Sequence, residues 1–454
     1  MNAASSVLFD TSLPRLVEVV CRTLGDDALQ NGVVLRDATG RLSFVGARQS
    51  PSQAERRRIA NALKEALGPY ARLDRVLAFQ DDPGAAQLLQ DPTYLPIKVG
   101  GMFCRLIDRR IVGAGWLDSP KDEAQGPPRI VFASLKGGVG RSTALAVAAS
   151  DLAYRNRNVL VVDLDLEAPG LGHLLLDDQR MPQFGTIDFL VENGIGGIPD
   201  NRLDDFVGRS PLTTGTGGRV DVVPALGQKA NRNPENVLPK IARAMIEDIS
   251  EKGDAVPVSA QIEAMISRLA ARAEYDAILI DSRAGLAELA APAVLGLGAT
   301  VLLFGTAQQQ TITGYQPLFA ALKLLAQRDR IAGNKAEWRL LLRPVYAKAS
   351  LDEDVTRMYR DGLYDLFSEN LYDEEVDGDS GADEINFAID DPSAPHWPLV
   401  IPFSPNFIDF DPPHRINHLS RPFYEQTFRP FLRDVDAIIG RPAGDLGSGS
   451  RDST

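Results

Sequence analysis

The sequence predicts an α/β fold, a mostly parallel sheet flanked by helices, preceded by a small α+β domain. Three observations carry that expectation. Short apolar runs, "RIVFAS", "VLVVDLD", "VDVVPA", "AILIDS", "TVLLFGT" and "RLLLRPV", alternate with helical stretches such as "STALAVAASDLAYR" and "SAQIEAMISRLAARA". The runs are continuous rather than alternating, which suits strands buried on both faces of a parallel sheet. Before residue 118 the texture differs, with amphipathic stretches beside hairpin-like runs.

At 454 residues the chain exceeds one compact core, and about 150 residues per domain gives two or three units. Residues 1–117 read as the small α+β domain. "LPRLVEVVCRTL" has helical spacing, and "GVVLRDATGRLSFVG" is two strand-like runs around an Asp-Ala-Thr-Gly turn. In "SPSQAERRRIANALKEAL", Ser52 and Glu55 stand at capping-box spacing ahead of Ile59, Leu63 and Leu67, predicting an amphipathic helix. "MFCRLIDRRIVGAGWL" reads as a second hairpin. No chemistry is assigned to this domain, and sensing or recruitment of a protein partner is the role expected of it.

"DSPKDEAQGPP", residues 118–128, combines charge, Gly and a Pro pair and reads as a linker. Residues 129–440 carry the alternating pattern, with an insertion at about 347–395. That insertion begins helically in "DEDVTRMYRDGLYDLFSENL" and continues acidically in "DEEVDGDSGADE". A calcium loop is a poor match there, because Gly381 takes a ligand position and Ala388 stands where the closing Glu belongs. Residues 441–454 are small and polar and read as a disordered tail.

A net charge of -13 weighs against nucleic-acid binding by bulk electrostatics, although it leaves a local basic face open. Cys21 and Cys104 are too few for a disulfide framework. With no secretory signal pattern and no window of about 18 apolar residues, the expectation is a cytoplasmic protein without a membrane partner.

The strongest motif is a strand, a Gly-rich turn and a helix in order: "RIVFAS", "LKGGVGR", "STALAVAASDLA". Glycines let backbone N–H groups converge on an anion, and the helix start adds unpaired N–H groups and the positive dipole end. Gly138, Val139, Gly140 and Arg141 are thus expected to line an anion nest, with Gly137 in the same turn. Ser142 has the hydroxyl position that reaches Mg²⁺ in P-loop proteins, and Thr143 can add a second hydroxyl.

"KGGVGRST" resembles the deviant Walker A loop of the ParA/MinD-type P-loop ATPases, whose pattern is KGGxGK[ST]; Lys136 matches the signature lysine. The resemblance implies ATP and Mg²⁺ as cofactors and an ATP-dependent homodimer in which Lys136 reaches the partner's phosphates. "VLVVDLDLEAPGL" matches the family's Asp-x-Asp strand, so Asp165 would orient the attacking water and Asp163 would lie near the magnesium shell. "YDAILIDSRAGL" matches its Walker B segment, with Asp281 holding Mg²⁺. "LVIPFSPNF" resembles the segment bordering the base, which makes Pro402 and Phe403 adenine neighbours or members of a plain Pro-containing loop. The resemblance covers residues 129–346 and 398–440.

The family's loop lysine is replaced by Arg141, which keeps the charge but presents a wider planar fork. Arg141 is expected to serve as a phosphate ligand in a slow ATPase that acts as a dimerising switch over a protein interaction. Competing readings are a non-hydrolysing regulatory subunit of a bacterial multi-component system such as a defence module, a DNA- or cargo-partitioning ATPase, and a kinase-like enzyme. Arg283 is read either as an arginine finger or, more simply, as an ion-paired arginine. His414 and His418 lack a third metal ligand, and His173 has no assigned role.

Overall fold

The computed structural model describes residues 6–213, 215–250, 252–373 and 384–441. Contacts divide the chain into two compact units: Met1–Leu117 with Lys323–Asn334, and Asp118–Leu322 with Lys335–Thr454.

In the first unit, strands β1 (Val33–Arg36), β2 (Leu42–Gly46), β3 (Leu77–Phe79), β4 (Leu95–Val99) and β5 (Met102–Asp108) form one sheet in the order β3-β2-β1-β5-β4. The β1–β2 hairpin closes as its sequence demands. Asp37 Oδ1 accepts the N–H groups of Thr39 and Arg41 at 2.9 and 3.0 Å, and Gly40 supplies a left-handed φ of 85°. The helices Phe9–Leu24 and Gln53–Leu67 bury Leu16, Val20, Ile59, Leu63 and Leu67 in the core of this unit. Ser52 caps the second of these helices by accepting the Glu55 N–H at 3.3 Å.

The expected second hairpin is placed differently. Met102–Asp108 pairs antiparallel with the upstream segment Leu95–Val99, while Ile111 and Val112 are exposed at 83% and 80%. The physical reason is the Gly100-Gly101 pair, whose φ angles of 57° and 86° supply the two left-handed residues of a tight hairpin turn.

The second unit is built on β6 (Arg129–Ser134), β7 (Asn158–Asp163), β8 (Gly208–Arg209), β9 (Arg219–Val223), β12 (Ala277–Ala284), β13 (Thr300–Gly305), β14 (Leu342–Ala349) and β15 (Leu399–Pro402), with β10 (Asp248–Ile249) and β11 (Ala255–Val256) in a separate ribbon. The eight strands run in the order β15-β14-β13-β6-β12-β7-β9-β8, and every pairing is parallel except β8 with β9. The sheet is mostly parallel and flanked by helices, as the continuous apolar runs require. β6, β7 and β12 are buried along nearly their whole length. The helix Arg141–Tyr154 is buried on most of its residues, and Phe431 of the helix Arg421–Gly440 packs on Phe132 and Phe304 of the sheet.

This topology positions a site. β6 lies between β12 and β13, so loops leaving the C-terminal ends of the central strands converge beside the turn that follows Ser134. Register does the rest, because Asp163 and Asp281 are direct partners across β7 and β12.

Residues 118–128 lie within the second unit: the Lys121 and Ala124 N–H groups donate to the Leu295 and Gly298 carbonyls, each at 2.8 Å. The insertion begins with the helix Glu353–Asn370, capped by Asp352 and anchored through Tyr359 and Leu363 against Tyr346 of β14. Its acidic continuation at 374–383 and the tail at 442–454 lie outside the described residues. No helix among the described residues is long and apolar enough to cross a membrane.

Candidate functional site

The turn after β6 runs from Leu135 to Gly140, where the helix Arg141–Tyr154 begins. Gly138 and Gly140 have φ of 75° and 92°, and a Cβ at either would meet nothing within 4 Å. These glycines are therefore required by backbone conformation, not by lack of space. No side chain caps the helix, which leaves its first N–H groups open to a ligand.

The turn forms one wall of a cleft of about 400 Å³, lined by Lys136–Thr143 on one side and by Ala347, Lys348, Pro402, Phe403 and Phe407 on the other. Pro402 and Phe403 are thus brought together with the Gly-rich turn. Lys136 is exposed, its Nζ donating to Gln310 Oε1, and it also borders a second hollow of about 320 Å³ with Leu286, Gln310 and Tyr315.

Lys348 is the residue that sequence reading misses. Its Nζ donates to the Gly138 carbonyl at 2.7 Å, and its φ of 54° is left-handed at a register shift between β14 and β15. Such strain in a non-glycine residue persists only where surrounding structure enforces it. "VYAKAS" contains no glycine or turn signature that would have drawn attention to it.

Behind the turn is a buried acidic cluster, and Arg141 lies in it. Arg141, expected to serve as a phosphate ligand, bonds to protein groups here: Nε donates to Asp281 Oδ1 at 2.5 Å, Nη1 to Ser134 Oγ at 3.2 Å, and Nη2 to Asp165 Oδ2 at 3.0 Å. Arg141 is only 8% exposed. The reason is electrostatic, since two buried carboxylates demand a cation nearby, and a guanidinium spans both where a point charge could not.

The remaining carboxylate oxygens are also engaged. Asp281 Oδ2 accepts the Ser142 hydroxyl at 2.7 Å, and Asp165 Oδ1 accepts the Ala168 N–H at 3.2 Å. Asp163, fully buried, accepts the N–H groups of Asp165 and Leu171 at 3.0 and 3.3 Å. Asp163 therefore ties the chain after β7 to the start of the helix Leu171–Leu175 rather than facing a metal. Among the described residues no group of three His, Cys, Asp or Glu side chains is arranged to hold a metal ion. As placed, the donor set expected for magnesium, Ser142, Asp163 and Asp281, does not fit one.

Burial, reinforced by the neighbouring Asp281 charge, pushes the Asp163 carboxyl up to about 8. Burial likewise raises Asp281, against the opposing pull of Arg141 and the Ser142 hydroxyl. The folded state thus holds a proton on Asp163 over a pH range in which the unfolded chain has lost it. That stabilisation is complete below the ordinary aspartate value of about 3.9 and disappears as pH rises through the raised value. The urea midpoint should accordingly fall between about pH 6 and about pH 8.5, and fall less in Asp163→Asn; equal declines in the two proteins would remove Asp163 as the cause.

Residues 130–282, which contain the turn, the Asp-x-Asp strand and Asp281, match the family model described as the CobQ/CobB/MinD/ParA nucleotide binding domain. This segment is a CobQ/CobB/MinD/ParA nucleotide-binding domain. No curated protein matches the chain. Solved structures similar to it include the MinD cell division protein of Aquifex aeolicus, 15% identical, covering 68% of this chain and 97% of its own with a TM-score of 0.40. A plasmid partition protein from Borrelia burgdorferi bound to AMPPNP is 17% identical over 68% of this chain and 99% of its own, TM-score 0.37. The pNOB8 ParA bound to nonspecific DNA is 13% identical over 69% and 97%, TM-score 0.42.

The other singled-out residues of the second unit lie as follows. In the matched segment, Arg283 is ion-paired with Glu167, the simpler of its two readings, and His173 is exposed. Outside it, His414 hydrogen-bonds Asp411, while His418 stacks between Phe410 and Phe423 and accepts the Asp411 N–H at 3.0 Å. These two histidines are structural, each held by its own loop.

Proposed function

We propose that the cleft binds ATP, with its phosphates at the turn 136–143 and its adenine beside Pro402 and Phe403, and that the chain is an ATP-dependent dimerising switch over a protein interaction. One observation carries this reading: two left-handed glycines, an uncapped helix start, Lys136 and Lys348 all border one cleft of about 400 Å³ that also contains Phe403. That is the size and lining expected of a small-molecule site, and it lies at the C-terminal edge of a parallel sheet. Lys136 is the residue suited to act across a dimer, because it is exposed and its Nζ bonds a neutral glutamine rather than a carboxylate. The first unit is the part that would meet a protein partner. The net charge of -13 disfavours DNA as cargo.

Hydrolysis of ATP to ADP and phosphate is slow on this reading, because Asp165, the carboxylate that would orient the water, is paired with Arg141 at 3.0 Å. The same pair favours a second reading, a regulatory subunit that binds nucleotide without turnover.

Light scattering of the protein with and without ATP tests the switch. Mass should double with ATP in the wild type and stay constant in Lys136→Ala; an unchanged wild-type mass removes the dimer. Phosphate released by the same samples separates the two readings, since equal background rates in wild type and Asp165→Ala leave only the non-hydrolysing one.

A further inference from the structure

We infer that Arg141 is the resident cation of this site and that nucleotide binding by this chain requires no divalent metal. The inference rests on the nucleotide reading of the cleft and begins from the misfit described above. All six oxygens of Asp163, Asp165 and Asp281 have a protein donor, and two of them receive the Arg141 guanidinium. A metal bound through these carboxylates would have to displace a fixed positive charge that is already 2.5 Å from Asp281 and 3.0 Å from Asp165.

Chemistry makes that displacement unfavourable. Guanidinium keeps its proton at any pH a protein survives, so it cannot yield the site by neutralising, as a buried lysine can. Its donors lie in a rigid plane, and here three of its nitrogens meet three acceptors, Asp281, Ser134 and Asp165. A dication drawn beside it meets like charge in a poorly screened interior.

A metal at a polyphosphate site neutralises both the protein's carboxylates and the ligand's phosphates. Separate groups can do both tasks here. Arg141 sets a positive charge against the Asp165 and Asp281 carboxylates, while Lys136 and Lys348 border the cleft that the phosphates would enter. Lys348 is held over the Gly-rich turn by its bond to the Gly138 carbonyl at 2.7 Å, so its charge is in place before any ligand arrives. Together with the uncapped helix start, these lysines provide a phosphate site made of protein groups alone.

Calorimetric titration of the full chain with AMPPNP, in magnesium and in EDTA, tests this. The wild type should bind with dissociation constants within about threefold of each other in the two buffers. Arg141→Lys should lose at least about tenfold in EDTA, because a smaller ammonium leaves carboxylate oxygens for a metal. A wild type that weakens about tenfold or more in EDTA overturns the inference, and so does an Arg141→Lys protein indifferent to EDTA. Absence of binding in both buffers overturns the nucleotide reading itself, a result distinct from metal dependence.

Discussion

Arg141→Ala will lower the stability of the second unit by about 3–5 kcal/mol, measured by urea unfolding at neutral pH. Asp281 is 2% exposed and Asp165 7%, and the guanidinium lies at 2.5 and 3.0 Å from them. Removing it leaves two acidic groups in a dry interior with no other cation among the described residues bonded to either. Protonation would relieve part of the cost, so the loss should shrink as pH falls, which separates charge from lost packing. Arg141→Lys should cost less than Arg141→Ala, and adding Asp281→Asn to Arg141→Ala should restore part of the loss. A change below about 1 kcal/mol in Arg141→Ala would mean that the ion pairs contribute no more than surface pairs do.

Gly138→Asp will weaken ATP binding by about a hundredfold or more, near 2.7 kcal/mol, while the urea midpoint stays close to that of the wild type. Aspartate is the informative choice because it tolerates a left-handed φ better than most residues, and Gly138 has a φ of 75° with open space around the new Cβ. The backbone can therefore persist. What changes is that a carboxylate now stands in the cleft, competing as a tethered anion for the same N–H groups and for Lys348. Retained affinity, read by calorimetry, would place the nucleotide away from this turn.

Much of the fold was legible because buried parallel strands leave continuous apolar runs. Each of the six quoted runs overlaps a strand of the large sheet, although the first three residues of "RLLLRPV" belong to the 3-10 turn Glu337–Leu341, and the strand-turn-helix motif lies where its spacing put it. Ser52 and the Ile59, Leu63, Leu67 stripe were equally readable, since capping and helical periodicity are local. The second hairpin was misplaced because its signal is a pair of left-handed glycines rather than a hydrophobic pattern.

At the site, sequence could say which residues carry charge but not where each charge points. Arg141 is one residue past the turn, and nothing in "GVGRST" distinguishes a guanidinium facing a ligand from one folded back to Asp281 and Asp165. The two backbone donors to Asp163, Asp165 and Leu171, carry no sequence signal because they bond to it only once the chain after β7 has turned. Lys348 was invisible because its role depends on a bulge-like shift between two strands distant in sequence.

The pairing of Asp163 with Asp281 across β7 and β12 gives the sheet a proofreading property. A slip of one residue would replace Asp163 by Val162 or Leu164 and turn every side chain of the strand to the opposite face. Asp165, two residues further along the same chain, would shift with it, and Arg141 would no longer find Asp165 and Asp281 placed for it to bridge. Correct strand registration and assembly of the charged cluster are consequently a single event, so a misaligned molecule is defective in its chemistry as well as its packing.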